Sequence, residues 1–185
     1  MNNGKNKRIR HLGRKVNALV TCLLLVSIFV VVKLCVYMFE NLAMDMLRDR
    51  CVNGTNVLAY ELQDYEGPED KTQLLDRMKE LMRCEFTIFN GDVRAYTTIQ
   101  QDGERVVGTT LSEDLKEKIL VQGQSYVGTA QILGQEHLCS YVPTKDADGK
   151  INGLIFAGIS KANAMDEIIG TMEMAALVGV VMVAL

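Results

Sequence analysis

The sequence predicts an α+β domain: an antiparallel five-stranded sheet with a long helix on one face, tied to a membrane at both ends. Three observations predict it. Two apolar runs, 16–39 and 174–185, bracket the chain. The first half of the intervening segment has apolar residues at helical spacing. Its second half has short β-rich runs separated by Gly- and Asp-containing turns. Helices followed by strands fit an α+β architecture.

The first run covers Val16–Val32 and, past Lys33, continues to Phe39. As a helix rising ~1.5 Å per residue it crosses the ~30 Å hydrocarbon core with some tilt. Lys33 near one end can snorkel to the headgroups. The run is longer than a signal-peptide core and no small-x-small site follows it. Lys5, Lys7, Arg8, Arg10, Arg14 and Lys15 precede it, with no acidic residue. The positive-inside rule places that tail in the cytoplasm. The tail lacks interleaved aromatics, so no nucleic-acid partner is expected. The second run, Met174–Leu185, reaches only about 18 Å as a helix, so a second span is expected to continue beyond Leu185. The expected organisation is a cytoplasmic basic tail (1–15), a first transmembrane helix (16–39), an extracytoplasmic domain (40–171) and the start of a second transmembrane helix (172–185).

Within the domain, Glu40 to about Tyr65 is expected to extend the first helix. Leu42, Met46, Leu47, Val57, Leu58 and Leu62 recur near helical spacing, and Gly67-Pro68 ends it. A second helix carries Leu74, Leu75, Met78, Leu81 and Met82 on one stripe. Phe86–Phe89 and Val93–Ile99 flank Asn90-Gly91-Asp92 as a hairpin. Asp102-Gly103 is a further turn. Thr110-Leu111-Ser112-Glu113 fits a capping box for a short helix, Leu115–Val121, with Gly123 just past its end. Three strands follow: Tyr126–Leu133, His137–Thr144 and Ile151–Ile159. Gly134-Gln135 and Asp146 to Gly149 are their turns, and Ser160 can cap a last helix.

Enzyme signatures are absent: no G-x-S-x-G, no H-E-x-x-H, no phosphate loop. No catalytic residue and no cofactor is expected. His137 stands alone on a strand. Asp146-Ala147-Asp148-Gly149 lacks the further acids of a calcium loop and is expected to be a turn, so no metal site is expected. Cys51, Cys84 and Cys139 leave open one disulfide or free thiols in apolar sites. Arg94 lies in a strand whose alternation puts Arg94, Tyr96 and Thr98 on one face and Ala95, Thr97 and Ile99 on the other. Two roles are open to it: a carboxylate-binding group at a pocket mouth, or an exposed arginine paired with Asp92 or Glu104, which spacing alone favours. Tyr126 and Tyr141 suit a small-ligand pocket and a sheet core equally, and core is the default.

From Val93 to Ser160 the chain closely resembles the single Cache domain of bacterial methyl-accepting chemotaxis proteins. The residues that carry the resemblance are Arg94-Ala95-Tyr96-Thr97-Thr98-Ile99 and Gly103-Glu104-Arg105-Val106-Val107-Gly108-Thr109. Ser125-Tyr126-Val127-Gly128-Thr129-Ala130, Tyr141-Val142-Pro143 and Asp146-Ala147-Asp148-Gly149-Lys150 continue it. Ile151-Asn152-Gly153 and Leu154-Ile155-Phe156-Ala157-Gly158-Ile159-Ser160 close it. The resemblance implies a PAS-like extracytoplasmic sensor that binds a small organic molecule, often a carboxylate, and signals by shifting the second membrane helix. Cytoplasmic signalling partners would then be reached through a region past Leu185. Carboxylate-sensing relatives have an arginine where Arg94 stands. They have a histidine where this chain has Thr97, and a second basic residue where it has Cys139. One anchor is kept and two are lost, so a ligand with one carboxylate, or a more apolar one, is expected. Leu111 is expected to line the pocket with Tyr96, Tyr126 and Tyr141.

Two other functions are open. The same outer domain can sit on a histidine kinase or a cyclic-dinucleotide enzyme. It can also be a ligand-free dimerisation domain. In every case the membrane is a partner, and the helix from Glu40 is expected to pair with its twin in a homodimer.

Overall fold

The computed structural model describes residues 3–63, 65, 67, 69–166 and 170. The second apolar run lies outside the described residues. The chain divides into two compact units, Met1–Asp45 and Met46–Leu185.

The first unit is helical, part of an uninterrupted helix α1 (Asn3–Gln63). Its apolar run is exposed at every residue but the partly buried Val36, and Gly13–Gln63 contains a window of mean hydropathy 2.8. It is the one helix among the described residues long and apolar enough to cross a membrane.

In the second unit, α1 buries Leu47, Cys51, Thr55 and Leu58, one every third or fourth residue. That stripe is narrower than the sequence predicts, because Met46 and Val57 are exposed. Gly54 does not break the helix. A Cβ there would stand 3.2 Å from the Phe86 ring, so its absence lets the helix approach the sheet closely. Helix α2 (Thr72–Met82) buries Leu74, Leu75 and Met78. Leu81, expected on the same stripe, is 72% exposed because the stripe turns away from the sheet at the last turn.

The strands are β1 (Glu85–Asn90), β2 (Val93–Thr97), β5 (Tyr126–Ile132), β6 (Gln135–Lys145) and β7 (Ile151–Ser160). They form one antiparallel sheet in the order β2-β1-β7-β6-β5, which bears out the expected fold class. A small hairpin, β3 (Gln100–Gln101) with β4 (Glu104–Arg105), forms around Asp102-Gly103. Arg105 anchors it to α2 through Asp76 at 2.8 Å. The β5–β6 turn is Leu133-Gly134, one residue earlier than predicted, with both residues at positive φ.

Three local predictions need correction. Thr87 pairs with Thr97 and Ile88 with Tyr96, but Phe89 pairs with Arg94, leaving Ala95 as a β-bulge. The extra residue reverses the alternation, so Arg94 and Tyr96 face opposite sides of the sheet. The capping box is shifted as well: Ser112, not Thr110, is the residue before α3 (Glu113–Lys116), and its side chain makes no cap bond. The short helix then widens into a π-helical turn, Glu117–Val121, rather than continuing as α-helix. Gly123 follows it at φ +68°, as expected. At the far end the Ser160 hydroxyl accepts from the Asn163 amide at 3.5 Å, so the predicted cap is present on the helical residues 161–166.

The sheet separates two buried layers. Phe86 and Ala157 meet α1 at Gly54, and Thr55 bonds Ser140 at 2.9 Å. The other face carries Phe89, Cys139, Tyr141, Leu154 and Phe156, packed with Ile99, Leu111, Ile119 and Ile132. Gly153 sits where β7 passes β1, and a Cβ there would run into the Phe89 carbonyl oxygen. Backbone cannot yield as a side-chain tip can. Gly153→Ala is therefore expected to cost about 1–3 kcal/mol, measurable as a lower thermal midpoint by circular dichroism. An unchanged midpoint would show that the β1–β7 backbones are free to separate there.

Candidate functional site

The sheet face opposite α1 opens into a cavity of about 620 Å³, within the ~300–1,000 Å³ range of small-molecule sites. The strands contribute Phe89, Arg94, Tyr126, Ile132 and Tyr141 to its lining. The segment after β4, α3 and the π-turn contribute Thr109 to Ser112, Asp114, Leu115 and Lys118.

Arg94 reaches this face through the hairpin register, which sets it opposite Phe89, and the bulge after it turns Tyr96 to the other side. Its backbone is held by the segment that closes over β2: Arg94 N–H donates to Thr109 O, and Gly108 N–H to Arg94 O, both at 2.9 Å. The same segment places Leu111, whose amide donates to Asp92 O at 3.0 Å. The Arg94 side chain is buried, only 9% exposed as a residue. Its guanidinium lies 5.5 Å from the Phe89 ring centroid and makes one long bond, Nη1 to Val106 O at 3.4 Å. Its Nε is buried with no partner. Neither acid offered by the sequence neutralises it, since Asp92 is bound instead to Lys116 at 2.8 Å and Glu104 makes no contact with it. Burial pushes the guanidinium below its ordinary value, yet an arginine stays charged in a protein. The site therefore holds a desolvated cation that no acidic side chain among the described residues pairs with.

An aromatic row lies beside it. The Tyr126 and Tyr141 rings are 6.1 Å apart, and Tyr141 and Phe156 are 4.9 Å apart, tilted by 49° and 50°. Glycines make room for the row: a Cβ at Gly128 would meet the Tyr126 hydroxyl, and one at Gly158 the Phe156 ring. The Tyr126 hydroxyl donates to Thr129 O at 2.7 Å. Burial pushes the Tyr141 phenol well above its ordinary value, so it remains a neutral hydroxyl.

Four of the residues expected from sequence, Arg94, Leu111, Tyr126 and Tyr141, line the cavity together. Three do not. Tyr96 is on the helix side of the bulge, with the Lys71 ammonium 5.7 Å from its ring centroid. Thr97 is fully buried and shares a hydrogen bond with Thr87 at 2.7 Å. Cys139 is buried in the apolar cluster on the cavity's face, where burial pushes its thiol up to about 12.

Sequence reasoning missed Lys118. The π-turn, a geometry found often at functional sites, carries it on the turn that buries Ile119. Its ammonium stands 5.0 Å from the Tyr126 ring centroid and makes no ion pair among the described residues. An α-helical reading of Leu115–Val121 gives no signal for this placement.

The family described as single Cache domain 3 matches residues 66–171, more than half of the chain. The chain belongs to the single Cache domain 3 family. Cache domains are sensor modules that bind ligands rather than catalyse reactions. The Escherichia coli DcuS sensor domain has the same fold as this Cache domain, with a TM-score of 0.50 and 14% identity over 69% of this chain and 98% of that one. The ligand-binding domain of the Campylobacter jejuni chemoreceptor Tlp3, solved with L-valine, aligns with a TM-score of 0.42 and 12% identity, over 67% of this chain and 59% of that one. A sensory box sensor histidine kinase from Vibrio cholerae aligns at 0.34 and 16%, over 48% and 87%. No curated protein sequence matches the chain.

Proposed function

We propose that this Cache domain is the extracytoplasmic ligand-sensing region of a transmembrane chemoreceptor, and that it takes up a small organic acid whose carboxylate docks on Arg94. The observation that carries the reading is the buried guanidinium at the wall of a cavity, with no acidic partner and no partner for its Nε among the described residues. A carboxylate arriving there makes charge-assisted hydrogen bonds in a site already stripped of water. Tyr126, Tyr141 and Leu111 would hold the rest of the molecule, which favours an acid with an apolar body. The basic tail and the exposed apolar helix support a membrane-held sensor, whose outer domain would span 40–171. The chemoreceptor output follows from the resemblance of residues 93–160, and signalling would leave through the helix that follows Ser160.

The test is the melting temperature of the full chain in detergent across a panel of monocarboxylates, dicarboxylates and amino acids. At least one acid is expected to raise it in a concentration-dependent way. If the whole panel leaves the midpoint unmoved, direct sensing of acids is refuted. Lys118, at the cavity's wall and partly exposed to solvent, is expected to contribute as a screened charge does, by ~0.2–1 kcal/mol. Lys118→Ala should therefore weaken acid affinity by up to about fivefold, with a smaller effect at high salt. Calorimetric titration at two ionic strengths checks this.

A further inference from the structure

A second cavity, of about 660 Å³, lies at the end of the sheet where β1 begins and β7 ends. Arg94, Tyr126 and Tyr141 do not line it. The buried side chains of Ile99 and Ile132 give its wall an apolar part, and His137 and Ser160 add polar groups. His137 and Ser160 stand directly opposite each other on β6 and β7, and are only 6% and 7% exposed. Each is half satisfied. The His137 ring bonds Gln135 O at 3.0 Å through Nδ1. A carbonyl oxygen only accepts, so Nδ1 carries the proton, and Nε2 of the neutral ring is a bare acceptor. Nε2 has no partner among the described residues. The Ser160 hydroxyl accepts from the Asn163 amide at 3.5 Å, and its own proton goes to no group among the described residues. Buried polar groups are bonded as a rule, so an acceptor and a donor side by side in a cavity wall call for a ligand that meets both.

We infer that this second cavity binds a small neutral polyhydroxyl molecule, a polyol or a monosaccharide, with one hydroxyl donating to His137 Nε2 and another accepting from Ser160. A hydroxyl carries one proton and two lone pairs, so it serves in either role. An imidazole reaches further from its strand than a hydroxymethyl group, so hydroxyls on neighbouring carbons meet the two better than a single oxygen does.

The rest of the lining agrees with a neutral ligand. Its cations, Lys79 and Arg83, are matched by two anions, Glu80 and Glu85, and Lys79 is bound to Glu85 at 2.7 Å. No net charge is left to select an acid, in contrast to the first cavity with its buried guanidinium. The side-chain amides of Gln100, Gln101, Gln135 and Asn163 complete the polar lining. Each amide both donates and accepts, as the hydroxyls of a polyol do. The volume is within the ~300–1,000 Å³ range of small-molecule sites. The site does not depend on acid binding, because Arg94 lines only the first cavity.

The chain has two histidines, His11 and His137, so nitrogen NMR of the imidazoles reads the site directly. The test uses the full chain with nitrogen-labelled histidine, in a detergent without a sugar headgroup, at mildly alkaline pH, where an ordinary imidazole is neutral. Glycerol, myo-inositol, ribose and glucose are added in turn at millimolar concentration. At least one is expected to move the His137 Nε2 resonance toward its hydrogen-bonded position, saturably, with His11 unmoved. Ser160→Ala should weaken that polyol by about two- to twelvefold, the loss of one hydrogen bond, and Arg94→Ala should leave its affinity unchanged. An Nε2 resonance that no member of the panel moves overturns the site, whether or not acids bind the first cavity, and that measurement needs no variant to fold. Undiminished affinity in Ser160→Ala overturns the assigned contact. Loss of the shift in Arg94→Ala places the polyol in the first cavity and overturns the inference.

Discussion

Arg94→Ala abolishes the acid-dependent rise in melting temperature, and Arg94→Met abolishes it while leaving the ligand-free domain more stable. Both expectations come from one buried group. Truncating one partner of a desolvated, hydrogen-bonded charge pair costs about 2–5 kcal/mol of binding, which is about thirty-fold to several-thousand-fold in affinity. In the absence of ligand the same guanidinium is a liability. It is buried, its Nε has no partner, and its one bond to Val106 is long. Replacing a buried, poorly compensated charge by an apolar side chain of similar length is neutral or stabilising by up to ~1–4 kcal/mol. Methionine keeps much of the volume, so the gain is not cancelled by a cavity. Thermal melts of wild type and both variants, with and without the best acid from the panel, separate the two effects. A methionine variant that still shifts with acid removes Arg94 from the site. One that melts well below wild type without ligand shows that the guanidinium supports the fold instead.

Phe156→Ala is expected to have the largest effect on stability. The residue is 1% exposed and its ring packs tilted against Tyr141 at 4.9 Å, in the cluster on the cavity side. Deleting a buried phenyl group costs about 3–5 kcal/mol, which for a domain of this size lowers the melting temperature by roughly 10–20 °C. The loss also removes the support behind Tyr141, so acid binding should weaken in whatever fraction remains folded. Leu81→Ala is the contrasting case, for Leu81 is 72% exposed and its truncation should stay within ~0.5 kcal/mol. Equal losses for the two variants in parallel melts would place Leu81 in an interface.

The elements were legible because their periods are clean. The helical spacing of Leu74, Leu75 and Met78 marked α2, and the Tyr, Val and Ile runs bounded by glycine turns marked β5, β6 and β7. Its place in a strand brought Arg94 into consideration and the family resemblance brought Leu111, and both line the cavity. What could not be read are the departures from regular period. Alternation is a rule about a strand without insertions, and a bulge at Ala95 has no residue signature, so Tyr96 was assigned to the wrong face. The π-turn inserts one residue into a helical pattern, and an α-helical reading gives no sign that Lys118 stands beside Tyr126. Thr97 and Cys139 were placed by analogy with basic residues. Here they are uncharged, and the chain uses them as packing.

The bulge at Ala95 has a consequence for how such receptors diverge. The two-residue turn before Arg94 fixes Asn90 opposite Val93 and Phe89 opposite Arg94, whatever follows. Deleting one codon at position 95 would make Tyr96 the direct neighbour of Arg94 and keep every other pair, so the guanidinium would stay on the cavity face. A descendant could thus shed the extra residue and keep recognition of acids. One residue more or less inside the Asn90-Gly91-Asp92 turn would instead shift the register and turn residue 94 to the helix side. Among relatives of this chain, the length of that turn would then be as informative about ligand as the identity of residue 94.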